Sequence, residues 1–221
     1  MKLIFFSLLL ALAFTHCAGP ATAPTRNLEC YVRFDAARQQ VQADATLHRG
    51  TDPQAAPIEM PGGLLYQATE MRILPVQGLS YRRTYAASYV PEHAFSWTDE
   101  KGQRQRAVFT MAAIPTFSFG DQPLSRDKTA TLRWEGGALE KGEGLVLMWE
   151  KKARNETVPM EIIRSSGEPF IEFPAAKIAE LAPGEWTLYV VRKRLAKTEV
   201  GGMPVQAVLE YYSKSDTIEV K

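Results

Sequence analysis

Residues 28–35 read LECYVRFD, and residues 40–48 read QVQADATLH. On an extended chain, Leu28, Cys30, Val32 and Phe34 share one face, while Glu29, Tyr31, Arg33 and Asp35 share the other. The second stretch alternates in the same way: Val41, Ala43, Ala45 and Leu47 on one side, Gln42, Asp44, Thr46 and His48 on the other. A helix would bring apolar residues round every three to four positions, so this period of two predicts a pair of half-buried strands. Cys30 is then a core residue, where apolar burial raises a thiol's pKa and leaves it inert. His48 is expected on the solvent face.

The alternation recurs along the chain. ATLRWEGG (130–137) sets Ala130, Leu132 and Trp134 on one face, EWTLYVV (185–191) does so with Trp186, Leu188 and Val190, and VQAVLEYY (205–212) with Val205, Ala207, Leu209 and Tyr211. Turn signals separate these runs: PGG at 61–63, DEKG at 99–102, EGG at 135–137, APGE at 182–185 and VGGM at 200–203. Short alternating strands punctuated by Gly and Pro predict an all-β protein of sandwich type, with Trp134, Trp149 and Trp186 in its core. The Gly-, Pro- and Asp-containing stretch GDQPLSRDK (120–128) divides the chain into 26–123 and 124–221. Each part is close to the roughly 100 residues of one immunoglobulin-like sandwich. The first part is less regular. PIEMPGGLLYQATEM (57–71) and LSYRRTYAASYVPEHAFSWTDEKG (79–102) predict a sandwich with elaborated loops.

In the second part, ATLRWEGG, GLVLMWEKK (144–152) and PFIEFPAAKIAELAPGEWTLYVVRKR (169–194) resemble the immunoglobulin-like and fibronectin-III-like modules of bacterial surface proteins. The resemblance implies a strand, a short helical turn ending Leu-x-Pro-Gly and a second alternating strand, with Ile178 and Leu181 docking the turn. It speaks to fold and not to function.

The N-terminus carries an address. Met1-Lys2 precede LIFFSLLLALAF (3–14), the layout of a signal peptide and too short to span a bilayer comfortably. Phe14-Thr15-His16-Cys17 resembles the bacterial lipobox, which implies removal of residues 1–16 and acylation, palmitate included, of Cys17. AGPATAPT (18–25) has no apolar periodicity, so residues 17–25 read as an extended tether. More than one acyl chain on Cys17 would give stable anchoring. The expected location is the bacterial cell envelope, periplasmic or surface-exposed, with the membrane as partner through the N-terminal lipid. Cleavage after Ala21-Thr22-Ala23 would instead give a freely secreted protein.

Charge and motifs narrow the function. The chain carries 26 basic and 25 acidic side chains, and removal of residues 1–16 brings the balance to zero. Nucleic-acid partners, which call for a basic excess, are not expected. No His/Cys/carboxylate cluster has ligand spacing and no cofactor motif is present, so neither metal nor cofactor is expected. With Cys17 lipidated, Cys30 stands alone and no disulfide framework exists. Only His48 and His93 follow the signal segment, and no G-x-S-x-G elbow occurs. The expected function is therefore a non-catalytic binding or scaffolding module, with an envelope protein or glycan as partner. A secreted hydrolase whose carboxylates are assembled by the fold is the enzymatic alternative.

One constellation suggests a binding surface. Tyr81, Tyr85 and Tyr89 are evenly spaced and followed by His93, Phe95 and Trp97, with Arg82 and Arg83 alongside. Tyr81, Tyr85, Tyr89, His93 and Trp97 would make an aromatic platform for a sugar ring or peptide, or else fill the first domain's core. RKRLAK (192–197) predicts a charged, solvated edge strand. Asn155-Glu156-Thr157 and Asp216-Thr217-Ile218 match short glycosylation triplets that arise often by chance.

Overall fold

The computed structural model describes residues 26–50, 55–74, 79–120, 122–151, 155–162 and 167–221. The signal segment, Cys17 and the tether lie outside the described residues.

The chain is nearly all β. In order it forms β1 (Arg26–Asp35), β2 (Gln40–Arg49), β3 (Pro57–Ile58), β4 (Leu64–Tyr66), β5 (Thr69–Glu70), β6 (Arg72–Leu74), β7 (Ser80–Ala86), β8 (Glu92–Thr98) and β9 (Arg104–Thr110). There follow β10 (Phe117–Phe119), β11 (Ala130–Trp134), β12 (Glu143–Lys151), β13 (Glu156–Ile162), β14 (Phe170–Phe173), helix α1 (Ala175–Ile178), β15 (Gly184–Val200), β16 (Met203–Tyr212) and β17 (Asp216–Val220). The stretches expected to carry elaborated loops thus contain the short strands β3 to β5 (57–71) and the longer β7 and β8 (79–102).

One large sheet has the order β13-β12-β15-β16-β1-β2-β7-β6, with β17 added along β15 and β3 along β2. Two small sheets, β5-β4-β8-β9 and β10-β11-β14, complete the structure. The alternation read in β1 and β2 is the observed one: Leu28, Cys30, Val32, Phe34, Val41, Ala43, Ala45 and Leu47 are all buried. Cys30 is a free thiol whose pKa burial pushes upward.

The register shows how both small sheets use one face of the large sheet. Leu145 pairs with Arg192, Arg192 with Tyr211, and Phe34 with Tyr211, so the inward residues of β12, β15, β16 and β1 lie on a common side. Over β12 and the first part of β15, Phe119 and Phe173 of the three-stranded sheet pack on Trp149, with ring centroids 6.0 and 6.2 Å away. Over β7, Tyr66 of the four-stranded sheet meets Tyr85 at 6.4 Å, and the Met60 N–H donates to the Tyr81 hydroxyl at 2.8 Å. The result is two sandwiches that share one sheet. Trp134, Trp149 and Trp186 are core residues, and Ile178 and Leu181 dock the helical turn as expected. The Trp186 indole N–H also donates to the Ala182 carbonyl at 2.8 Å, closing the turn before β15.

β15 is the connecting element. Gly184–Leu188 pair with β17, Thr187–Arg194 with β12, and Val191–Val200 with β16. β16, from the second half of the chain, then lies parallel to β1, from the first half. Gly201 and Gly202 join β15 to β16 with φ of 58° and 78°, the left-handed backbone that a two-residue hairpin of this kind requires.

RKRLAK is an edge only in part: Arg192–Arg194 lie between β12 and β16, whereas Leu195–Lys197 pair with β16 alone among the described strands. Arg192 continues the inward face of Trp186, Leu188 and Val190 and is only 1% exposed. It reaches the gap between the two small sheets and meets Glu143, also buried, with Nη2–Oε2 at 2.5 Å and Nε–Oε2 at 3.1 Å. Its remaining donors go to the Gly136 carbonyl (3.0 Å) and the Ala138 carbonyl (2.8 Å). Glu143 Oε2 accepts the Glu140 N–H as well (2.8 Å), and Arg194 stands 3.6 Å from Oε1. Gly136 can deliver its carbonyl only as glycine: φ is 105°, and a Cβ there would sit 1.9 Å from the Ala113 carbonyl oxygen.

Removing one partner of a buried pair strands the other's charge. Arg192→Met and Glu143→Gln are each expected to lower unfolding free energy by about 3–5 kcal/mol. The double variant is expected to lose well under the sum, read from urea midpoints in a double-mutant cycle.

Candidate functional site: an arginine-lined cleft beside a buried aromatic cluster

The structure separates the five residues of the expected aromatic platform. Tyr81 and His93 are 1% exposed and Trp97 is 3% exposed, so these three lie in the core and offer no open face. Tyr85 and Tyr89 are half-buried. The reason is strand parity: Tyr81, Arg83 and Tyr85 face the four-stranded sheet across the sandwich, and Phe95 and Trp97 of β8 face back.

The packing hub is Tyr66, which is buried and was not singled out by the sequence. Its ring lies 5.1 Å from Phe95, 6.2 Å from His93 and 6.4 Å from Tyr85. Tyr89 extends the cluster toward β1 and β16, with centroids 5.1 Å from Phe34, 5.8 Å from His93 and 4.9 Å from Tyr211. Tyr66 and His93 are near-parallel, at 13°, and the other pairs are tilted or edge-on, all at separations usual for aromatic contacts. The Tyr89 hydroxyl donates to the Met111 carbonyl at 2.6 Å. Burial raises the pKa of Tyr66, Tyr81, Tyr85 and Tyr89, so all four hydroxyls stay protonated near neutrality.

His93 Nδ1 lies 2.7 Å from the Tyr66 hydroxyl, and its Nε2 has no hydrogen-bond partner among the described residues. Burial lowers its pKa to about 4, because the imidazolium would be desolvated. His48 was expected in solvent but is 8% exposed. β3 folds back along the end of β2, placing the Ala55 carbonyl 3.0 Å from His48 Nδ1, while Glu29 Oε2 is 3.5 Å from Nε2. Neither histidine's contacts include a hydroxyl or thiol nucleophile of the serine or cysteine type. Among the described residues, no group of three His, Cys, Asp or Glu side chains is placed to hold a metal ion. No helix among them is long and apolar enough to cross a membrane.

An accessible cleft of about 460 Å³ lies beside Tyr85. Glu70 and Arg72 line one side, and Arg82, Arg83, Thr84 and Tyr85 the other. β6 pairs only with Ser80–Arg82, so the cleft forms where β7 runs on past its short neighbour. Arg72 and Arg82 are cross-strand partners, a like-charge pairing that costs stability. Arg82 is held by Asp44, Nε to Oδ1 at 2.5 Å, and Asp44 also accepts the Gln42 amide at 2.7 Å. Arg83 stacks 4.6 Å over the Tyr85 ring, and its Nη1 is buried without a hydrogen-bond partner. Neither Arg72 nor Arg83 has an ion-pair partner among the described residues.

In two other parts of the surface the arginines are already matched. A depression of about 230 Å³ lies between Arg26, Trp97, Glu100 and Gly201, where Arg26 and Asp99 already have partners. Arg26 pairs with Glu100, and Asp99 accepts the Lys101 and Gln103 N–H groups and the Gln105 amide. On the outer face of the large sheet, Tyr31 and Tyr212 both donate to Glu210 Oε2, at 2.7 and 3.0 Å, and Arg33 covers the Tyr212 ring at 3.9 Å. Parity places Tyr31 and Arg33 on that face, but nothing in the sequence brings them beside residue 212.

No protein-family description matches the chain, and no curated protein matches it. Among solved structures, murine CEACAM1b aligns over 89% of this chain and 100% of its own, at 12% identity and a TM-score of 0.29. The Clostridium thermocellum CbhA fibronectin(III)-like modules align over 85% of this chain and 87% of theirs, at 12% identity and 0.26. The FN1–FN3 domains of chicken CNTN1 align over 86% and 65%, at 13% identity and 0.26. At such scores these likenesses carry no argument about this chain, and the all-β architecture rests on its own ladders.

The packing makes the pH response of His93 calculable in sign. Its folded pKa lies below its unfolded value near 6.5, so the unfolded chain binds more protons between about pH 6.5 and 4. Stability is therefore unaffected by His93 above pH 6.5 and falls as pH drops through that window, by up to about 3 kcal/mol. His93→Asn is expected to flatten this part of the urea-midpoint profile between pH 7.5 and 4. Trp97→Ala is expected to cost about 3–5 kcal/mol of stability, whereas Tyr85→Ala, at a half-buried ring, leaves a folded protein by circular dichroism.

Proposed function

We propose that the chain is a cell-envelope lipoprotein, held to a membrane through Cys17, whose two sandwiches serve as a non-catalytic binding or scaffolding module. The observation that carries this reading is the join between address and fold. The lipobox-like FTHC and the Ala/Pro/Thr stretch lead directly into β1 at Arg26.

The tether residues, 17–25, reach about 30 Å when fully extended. The start of β1 would then stand close to the bilayer. Beside it lie the Gly201-Gly202 hairpin, since β16 runs parallel to β1, and Glu100 in its ion pair with Arg26. β15 runs the opposite way, and its first residues belong to the far sandwich. In this reading the two units expected as 26–123 and 124–221 are the two sandwiches, with β10 lent to the far one and β16 to the near one, and the shared sheet holds the far unit away from the membrane at a fixed distance. A lipid anchor, a short tether and a stiff two-unit body suit a module that presents a surface to an envelope partner.

Intact mass spectrometry of protein extracted with detergent from a bacterial host, wild type beside Cys17→Ser, tests the anchor. The expected result is an N-terminus at Cys17 carrying acyl mass, absent from the variant. An unacylated chain starting beyond Cys17 would replace this reading with secretion.

A further inference from the structure

The cleft beside β6 has two arginines, Arg72 and Arg83, without an ion-pair partner among the described residues. Arg72 faces Arg82 across the ladder, and Arg83 turns inward over Tyr85 with Nη1 buried and unpaired. A cross-strand like-charge pair and a buried guanidinium nitrogen without a partner both cost stability. Arg72 and Arg83 both line the cleft, so an anion bound there offsets both costs. Three guanidinium groups against the single Glu70 carboxylate line the cleft, and one of the three is already matched by Asp44.

We propose that this cleft is a binding site for a phosphate group, with Arg72 and Arg83 as its principal ligands. A guanidinium fork matches phosphate oxygens geometrically and stays charged at all physiological pH. A phosphate is favoured over a carboxylate because its tetrahedral oxygens can meet guanidinium groups arriving from different directions. One fork is enough to satisfy a planar carboxylate. Arg83 is preorganised by its stack on Tyr85, so little side-chain freedom is lost on binding. The cleft's volume lies within the usual range of about 300–1,000 Å³ for ligand sites, large enough for a group attached to the phosphate. The site gives a place and a chemistry to the binding role proposed above. It rests on that role and not on the lipid at Cys17.

The test is the thermal midpoint of the whole purified protein in inorganic phosphate against sodium chloride of equal ionic strength. Wild type, Arg72→Gln and Arg83→Gln are compared. At ten times the dissociation constant, a single site raises the midpoint by about 3–6 °C. Phosphate's general exclusion from protein surfaces raises all three proteins alike, so the difference between wild type and variants is the readout. Arg72 is exposed, and Arg72→Gln is expected to match or exceed the wild-type midpoint in chloride while losing the phosphate-specific rise. Arg83→Gln is expected to lose the rise as well. An equal rise in wild type and Arg72→Gln, or no rise in wild type, would overturn the proposal whatever the state of Cys17. Vesicles of phosphatidylglycerol, compared with phosphatidylcholine, separate the sources. Arg72-dependent binding to the former supports a lipid headgroup, and a phosphate effect without vesicle binding supports a soluble phosphorylated ligand.

Discussion

The ion pair of Arg192 and Glu143 lies where the two small sheets fail to meet over the large one. A gap of that kind could be closed by apolar side chains. Here it is closed by a guanidinium whose hydrogen bonds go to one carboxylate and to the Gly136 and Ala138 carbonyls. A buried pair of this sort adds little stability over an apolar replacement, because desolvation offsets most of the attraction. What it imposes is geometry. The guanidinium is satisfied only when β12, β15 and the 135–142 turn stand in one arrangement, so the pair works as a registry device for the junction.

That junction matters because β15 passes through it without a break. Its 17 residues begin in one sandwich and end in the other, and its partners change from β17 to β12 to β16 along the way. Two modules joined by a flexible linker would sample many orientations. Two modules sharing a ten-stranded sheet are joined through a hydrogen-bonded ladder, and bending between them would break backbone pairs. Tyr89 and Tyr211 pack beside the Arg192–Glu143 pair, so the first sandwich's aromatic core runs up to the same junction.

The contrast between the aromatic cluster and the arginine cleft follows from what each has left unsatisfied. Tyr66 and Tyr81 are buried and Tyr89 half-buried, and their hydroxyls meet His93, the Met60 N–H and the Met111 carbonyl. Such groups have no capacity for an outside ligand without losing an internal one. Arg72 and Arg83 have charge and donors to spare, at a strand edge that water and solutes reach. Within the same short sequence, YRRTY, the tyrosines at 81 and 85 turn inward to the core cluster, while Arg82 is matched by Asp44 and Arg83 is left unmatched.

Strand identity was legible from residue order alone, because a period of two sorts side chains onto two faces wherever one face is buried. LECYVRFD and VQAVLEYY state their burial in full, QVQADATLH does so up to Leu47, and Ile178 and Leu181 are buried as the module resemblance implies. The same rule, carried one step beyond the Trp186–Leu188–Val190 face, puts Arg192 inward, although its charge suggests solvent. Which strands become neighbours was decided only by the tertiary structure. The parallel match of β1 with β16 joins residues far apart in the chain, as in the Tyr31–Glu210 contact, and no local pattern encodes it. His48 shows the same division: its alternation is correct, yet β3 covers it. The Arg72–Arg82 opposition likewise exists only because a three-residue strand pairs with β7. Periodicity is a property of one strand against a core, whereas a site is made by side chains that arrive from different strands.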